Sequence, residues 1–75
     1  MHAQKIECKI LDFLIEKIAA ETGGKANDAA VARYFEMQPP IISKIRHGKV
    51  KVNSDLILAI HEKMGVPVAD IRALL

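Results

Sequence analysis

The chain has 75 residues, of which 51% are hydrophobic and 4% aromatic, and its formal net charge is +2. This length allows a single domain with one small aliphatic core, spanning residues 1–75. Cys8 is the only cysteine, which excludes an internal disulfide and is typical of a reducing cytosol. The sequence has neither a signal-peptide pattern nor an apolar run of about 18 residues, so we expect a cytoplasmic protein without a membrane segment.

The positive charge is concentrated in residues 33–51. The local net charge there is +4, because Glu36 alone opposes five cations, Arg33, Lys44, Arg46, Lys49 and Lys51. The segments before and after it each carry −1. Such asymmetry is expected of a face that binds a polyanion, although a solvated basic patch would give the same pattern.

Two helices are predicted in the first half of the chain. Residues 3–21 form an amphipathic pattern with apolar side chains every three or four positions, at Ile6, Ile10, Phe13, Leu14 and Ile18. We expect Gly23-Gly24 to end this helix, with Cys8 buried or half-buried on it. A second helix is predicted to begin with Asn27 as its N-cap and Asp28 in its first turn.

The third helix carries the residues of greatest functional interest. After a turn at residues 36–38, we predict that it begins at Pro39, because a proline fits the first turn, and ends at Gly48. The helical period places Ile41, Ile42 and Ile45 in the core. The opposite, outward face then consists of Pro39, Pro40, Ser43, Lys44 and His47. A helix with short polar or cationic outward residues fits the major groove of DNA.

The rest of the chain predicts a loop and two more helices. Residues 49–52 form the loop, and Asn53 or Ser54 caps a fourth helix that Gly65 ends. Its apolar residues are Leu56, Ile57, Leu58, Ile60 and Met64. A fifth helix, about 68–75, would bring Ile71 and Leu74 to the core. We therefore predict an all-α fold of five helices.

These residues resemble a known family. The matching positions are Val31-Ala32, Phe35, Met37, Ile42-Ser43, Ile45, Gly48-Lys49, Ile57, Leu58, Ile60, Met64-Gly65-Val66 and Ile71. Over about residues 27–72 the chain is similar to the Cro/phage-repressor (XRE-type) helix-turn-helix family, with the motif itself at about 27–49. The resemblance implies a five-helix, lambda-repressor-like domain that binds operator DNA as a homodimer and regulates transcription, as a repressor, through helix 3.

The resemblance also implies roles for individual residues. Pro39, Pro40 and Lys44 match positions that contact base edges. Phosphate contacts are implied for Asn27, Lys49 and Lys51. We add Ser43 and His47 as phosphate candidates, although Ser43 has the alternative of bonding to its own helix backbone. Arg33 and Arg46 have the alternative of pairing with carboxylates.

Three positions carry physical expectations of their own. Proline cannot donate a hydrogen bond to a base, so Pro39-Pro40 would give apolar readout, for example against a thymine methyl. The Asp28 carboxylate would face phosphates unfavourably. Glu36 lies at a turn position often held by glycine, where a left-handed backbone would cost roughly 1 kcal/mol.

Other functional classes are less well supported. The apolar edge of Pro39, Pro40 and Ile41 would also suit a protein-interaction module, such as an anti-repressor or a subunit of a regulatory complex. Ser43 and His47 have no adjacent acid to form a catalytic set, and Cys8 and the histidines lack zinc-ligand spacing. We expect neither an enzyme nor a metal or other cofactor. The length leaves no room for a domain that binds a small-molecule effector.

Overall fold

A computed structural model describes residues 6–75 of the chain. These residues form five α-helices, α1 Lys9–Thr22, α2 Asp28–Tyr34, α3 Pro39–Arg46, α4 Ser54–Met64 and α5 Val68–Ala73. The described part contains no strand, in agreement with the predicted all-α class. Within it, no helix has both the length and the apolar character needed to cross a bilayer.

The core is built from aliphatic side chains of every helix. The largest fully buried side chains are Leu11, Leu14, Val31, Ile42, Ile60 and Ile71. Burial of a side chain of this size is worth about 1.5–3 kcal/mol. Because α3 contributes Ile42 to the same cluster as the other helices, the core fixes α3 on the body of the domain.

The first helix begins later than predicted. Of the predicted span 3–21, residues 3–5 lie outside the described part, and Ile6 is non-helical and 42% exposed rather than part of the apolar stripe. Cys8 is the extended N-cap of α1 and is half-buried as expected. The Ile6 carbonyl accepts a hydrogen bond of 2.6 Å from Arg46 Nη1, instead of serving an amide one helical turn later.

The predicted starts of α2 and α4 are confirmed by their N-caps. Asn27 Oδ1 accepts from the Ala30 N–H at 3.0 Å. At α4 the cap is Asn53 rather than Ser54, because Asn53 Oδ1 accepts from the Leu56 N–H at 2.9 Å. Each cap satisfies a backbone N–H that has no partner within its helix.

Two predictions near the C-terminus need correction, the burial of Leu58 and the end of the fifth helix. Leu58 was assigned to the apolar face of the fourth helix but is 52% exposed. The fifth helix ends at Ala73 rather than at about residue 75, and Leu75 beyond it is 60% exposed. Leu74, its C-cap, is half-buried and packs against the core as predicted. Leu58 in α4, Val68 at the start of α5 and Leu75 after it are therefore exposed apolar side chains.

Candidate nucleic-acid interface

The turn between α2 and α3 is a hydrogen-bonded C-terminal cap. The Glu36 N–H donates to the Arg33 carbonyl at 3.2 Å, and the Met37 N–H donates to the Ala32 carbonyl at 2.8 Å. This pair of bonds is the Schellman motif, which needs a left-handed residue at its centre. Glu36 takes that conformation with φ 55°, which confirms the expectation from the sequence.

The recognition-helix candidate α3 begins at Pro39 as predicted. Pro39 and Pro40 occupy its first turn, where a missing N–H costs nothing. Ile42 and Ile45 are buried, as expected. Ile41 was also assigned to the core but is only half-buried, because it lies at the edge of the inward face.

All five predicted outward residues of α3 are exposed. They are Pro39, Pro40, Ser43, Lys44 and His47. On a helix that advances about 100° per residue they occupy one continuous arc of about 140°. The Ser43 hydroxyl makes no hydrogen bond with the described residues, so its donor and acceptor are available to a ligand. The arc therefore presents one cation, one hydroxyl and one imidazole beside two proline rings.

The loop that carries two further lysines is fixed to the end of α3. The Gly48 N–H donates to the Ile45 carbonyl at 3.1 Å, and the Lys49 N–H donates to the Lys44 carbonyl at 2.8 Å. Gly48 has φ +72°, so this is a second Schellman motif. Lys49 and Lys51 are both exposed. Backbone hydrogen bonds thus hold the start of the loop in a defined position relative to Lys44.

The start of α2 and the end of α3 meet at one surface depression of about 550 Å³. Asn27 and His47 both line it, together with Asp28 and Arg46. Asn27 Oδ1 is committed to its helix cap, so the side-chain amide nitrogen is the group left for a ligand. The fold thus brings together two residues that were predicted separately as phosphate contacts.

Arg46 differs from the other cations of the basic segment because its side chain is only 9% exposed. Its Nε donates to Asp28 Oδ2 at 2.7 Å, and its Nη2 donates to Asp28 Oδ1 at 2.8 Å. Nη2 also lies 3.0 Å from Asp12 Oδ1. The hydrogen bond to Asp28 is the main cause of a raised Arg46 pKa.

This ion pair corrects two expectations about charge. Asp28 does not present an uncompensated carboxylate to phosphates, because Arg46 holds both of its oxygens. Pairing with carboxylates was an alternative for both arginines, and only Arg46 pairs; Arg33 is exposed without an ion pair among the described residues. The free cations of the basic segment are therefore Arg33 and the three lysines.

Lys63 makes a second cation contact, which sequence spacing does not suggest, at the C-terminal end of α2. Lys63 on α4 donates to the Tyr34 carbonyl at 2.7 Å, and its Nζ lies 5.4 Å from the centroid of the Tyr34 ring. It lies 5.8 Å from the centroid of the Phe35 ring. A cation at the last carbonyls of α2 stabilises the end of that helix, so we assign Lys63 a structural role.

Comparison with known proteins adds nothing to this geometry. No protein-family model matches the sequence, and neither a curated protein nor a solved structure matches it. Function is therefore inferred from α2, α3 and the lysine loop themselves.

Proposed function

We propose that the chain is a sequence-specific DNA-binding regulator of transcription, acting as a repressor, that inserts α3 in the major groove. The observation that carries the proposal is the exposed arc of α3, which includes Lys44, together with two exposed lysines in the loop fixed to the end of the helix. The resemblance of residues 27–72 to the Cro/phage-repressor family points the same way. A site for DNA implies residence with the nucleoid in the cytoplasm.

The proposed contacts divide into two classes. Lys49 and Lys51 in the loop, and Asn27 and His47 at the depression, would contact phosphates and fix the register of the domain on DNA. Lys44 would donate to guanine O6 and N7, as lysine does in the major groove. Pro39 and Pro40 would add apolar contact to bases, and Ser43 a phosphate contact beside them.

We further propose that the regulator is a homodimer on its operator, since two half-sites one helical turn apart require a two-fold protein. The two candidate dimer surfaces are α1 and the C-terminal segment around Leu74 and Leu75. Leu58, Val68 and Leu75 line a groove of about 530 Å³ beside α5 and are 52%, 39% and 60% exposed. The exposed side chains of α1 include Lys9, Glu16 and Glu21. Exposed apolar area therefore favours the C-terminal surface.

A second candidate function keeps the same scaffold for protein binding. The leading end of α3 presents Pro39 and Pro40 exposed, next to a half-buried Ile41. This edge has no side-chain hydrogen-bond donor, so it would suit an apolar partner surface, as in an anti-repressor. The exposed lysines that follow are not needed for that role, which is why DNA binding is the first proposal.

The deciding experiment is a titration of the full chain against a labelled random duplex at several salt concentrations. DNA binding predicts a linear fall of log affinity with log salt, with a slope of about two or more per protomer from the two loop lysines. Lys49→Gln should lower the slope by about one. Lys17→Gln on α1 makes the same change of charge outside both the proposed interface and the groove beside α5, and it should leave the slope unchanged. If the protein binds no duplex at low salt, the DNA-binding proposal is contradicted and the protein-interaction role becomes the first candidate.

If the random duplex binds, enrichment of bound sequences from a random DNA pool tests sequence specificity. A regulator predicts a recurrent motif with two-fold symmetry. A pool that remains random after repeated rounds would contradict sequence-specific readout while leaving non-specific DNA binding intact.

A further inference from the structure

One side chain connects α3 to both of the helices that precede it. The Arg46 guanidinium holds Asp28 at the first position of α2 with two hydrogen bonds and Asp12 in the first turn of α1 with a third. A fourth hydrogen bond, from Nη1, goes to the carbonyl of Ile6 before α1. Arg46 is the last residue of α3, so these four bonds act at the end of the helix that adjoins the lysine loop.

The position of Arg46 on α3 makes this arrangement informative. Its direction lies between the buried arc of Ile42 and Ile45 and the exposed arc that begins at Pro39. At that border an arginine has the length to reach a phosphate, yet its side chain is 9% exposed. Asp28 and Asp12 are themselves 34% and 35% exposed, so the pair lies at the rim of the proposed interface rather than deep in the core.

We propose that Arg46 is a positioning residue, which sets the angle of α3 on α1 and α2 for groove entry and does not itself contact phosphate. The proposal rests on the proposed DNA-binding function. A planar guanidinium held on both oxygens of one carboxylate is directional, whereas an isolated point charge is not. Ion pairs at the edge of a core add little net stability, so the expected consequence is orientation rather than a large gain in stability.

The most discriminating variant is Asp28→Asn, because electrostatics alone would change the affinity for every duplex, whereas a loss of positioning would change the preference between duplexes. Removal of one negative charge beside phosphates would, by electrostatics alone, tighten binding to every duplex. Positioning predicts that the preference for the selected duplex over a random duplex falls by about tenfold, as when one base contact is weakened. Glu62→Gln, an exposed position on α4, makes the same change of charge and should preserve the preference. Tighter binding of Asp28→Asn to both duplexes with an unchanged preference would overturn the proposal.

Arg46→Lys separates positioning from direct phosphate contact at constant net charge. Lysine keeps the cation but cannot make the bidentate contact. A positioning role predicts a loss of preference of about tenfold with an unchanged salt slope on random duplex. If Arg46 contacted phosphate, lysine would replace it, and both the preference and the slope would remain at the wild-type values, which would contradict the proposal.

A measurement on the free protein keeps this inference separate from the proposed function. By NMR, the Nε–H of Arg46 should exchange with water more slowly than the Nε–H groups of exposed Arg33 and Arg72, and Asp28→Asn should remove that protection. If the Nε–H of Arg46 exchanges as fast as that of Arg33, the hydrogen bonds of Arg46 to Asp28 are contradicted, whether or not the protein binds DNA. If the Nε–H exchanges slowly but the protein binds no duplex, the proposed function and the orienting role toward DNA are both contradicted. The hydrogen bonds between Arg46 and Asp28 would still stand.

Discussion

The N–H of Met37 donates to the carbonyl of Ala32 at 2.8 Å, and this bond closes the turn that joins α2 to α3. The residue enclosed by the turn, Glu36, has φ 55°. A side chain with a Cβ is strained in this region, whereas glycine is not. The sequence therefore places a charged residue at the one turn position whose backbone favours glycine.

Replacement of Glu36 by glycine should stabilise the protein. We expect Glu36→Gly to raise the free energy of unfolding by about 1 kcal/mol, the relief of left-handed strain less the extra entropy of glycine in the unfolded chain. Glu36→Gln removes the same charge but keeps the Cβ and should change stability by less than about 0.5 kcal/mol. Urea denaturation of both variants tests this, and equal midpoints would show that Glu36 carries no backbone strain.

The pKa of Tyr34 provides a test of the packing behind α2. Burial raises the pKa of this phenol above its ordinary value of 10.0, and the charge of Glu21 raises it further. Glu21 Oε2 also accepts a hydrogen bond of 3.2 Å from the Tyr34 hydroxyl. Folding therefore favours the protonated phenol, so its contribution to stability is complete below pH 10 and is lost as the pH rises through the raised pKa.

Tyr34 is the only tyrosine and the chain has no tryptophan, so tyrosinate absorbance reports this group alone. We expect a titration midpoint above 10.0 in the folded protein and a lower midpoint in Glu21→Gln. Glu16→Gln, an exposed acid on the same helix, should leave the midpoint unchanged. A wild-type midpoint at or below the ordinary value would contradict the described contact.

Local chemistry explains how much of the fold the sequence predicts. Asn27 and Gly65 cap helix ends that lie within a few residues of them, and the spacing of Ile42 and Ile45 is a property of one helix. These features can therefore be predicted from the sequence alone. The predicted burial of Leu58 is wrong because periodicity identifies an apolar position but does not show whether another helix covers it. The predicted start of α1 is wrong for a different reason. Ile6 is apolar and fits the helical spacing, but its carbonyl accepts a hydrogen bond from Arg46, forty residues away.

The candidate site divides along the same line. The exposure of Lys44 and the burial of Ile42 follow from the helical period of α3, and both are confirmed. The pairing of Arg46 with Asp28 and Asp12 spans 18 and 34 residues, and no spacing rule connects them. Charge counting therefore identified the basic segment correctly but gave it one more free cation than the folded surface has.

The proposed dimer surface predicts a specific loss of association. Leu58→Glu puts a charge in the groove that Leu58 lines with Val68 and Leu75, and it should convert the dimer to a monomer in sedimentation on a palindromic duplex. Ala20→Glu, at an exposed position of α1, is the matched control and should leave the dimer intact. If Ala20→Glu alone breaks the dimer, the interface lies on α1. A wild-type monomer both free and on the palindrome would contradict the dimer itself.

The central claim is that α3 reads bases while the loop after it holds phosphates, and one comparison of two lysines tests it most directly. Binding isotherms of Lys44→Ala and Lys51→Ala are measured on the selected duplex and on a random duplex at several salt concentrations. We expect Lys44→Ala to cost about 1–3 kcal/mol on the selected duplex and much less on the random one. Lys51→Ala should weaken binding to both duplexes by a similar factor and lower the salt slope by about one. Identical behaviour of the two variants on both duplexes would contradict base readout by α3.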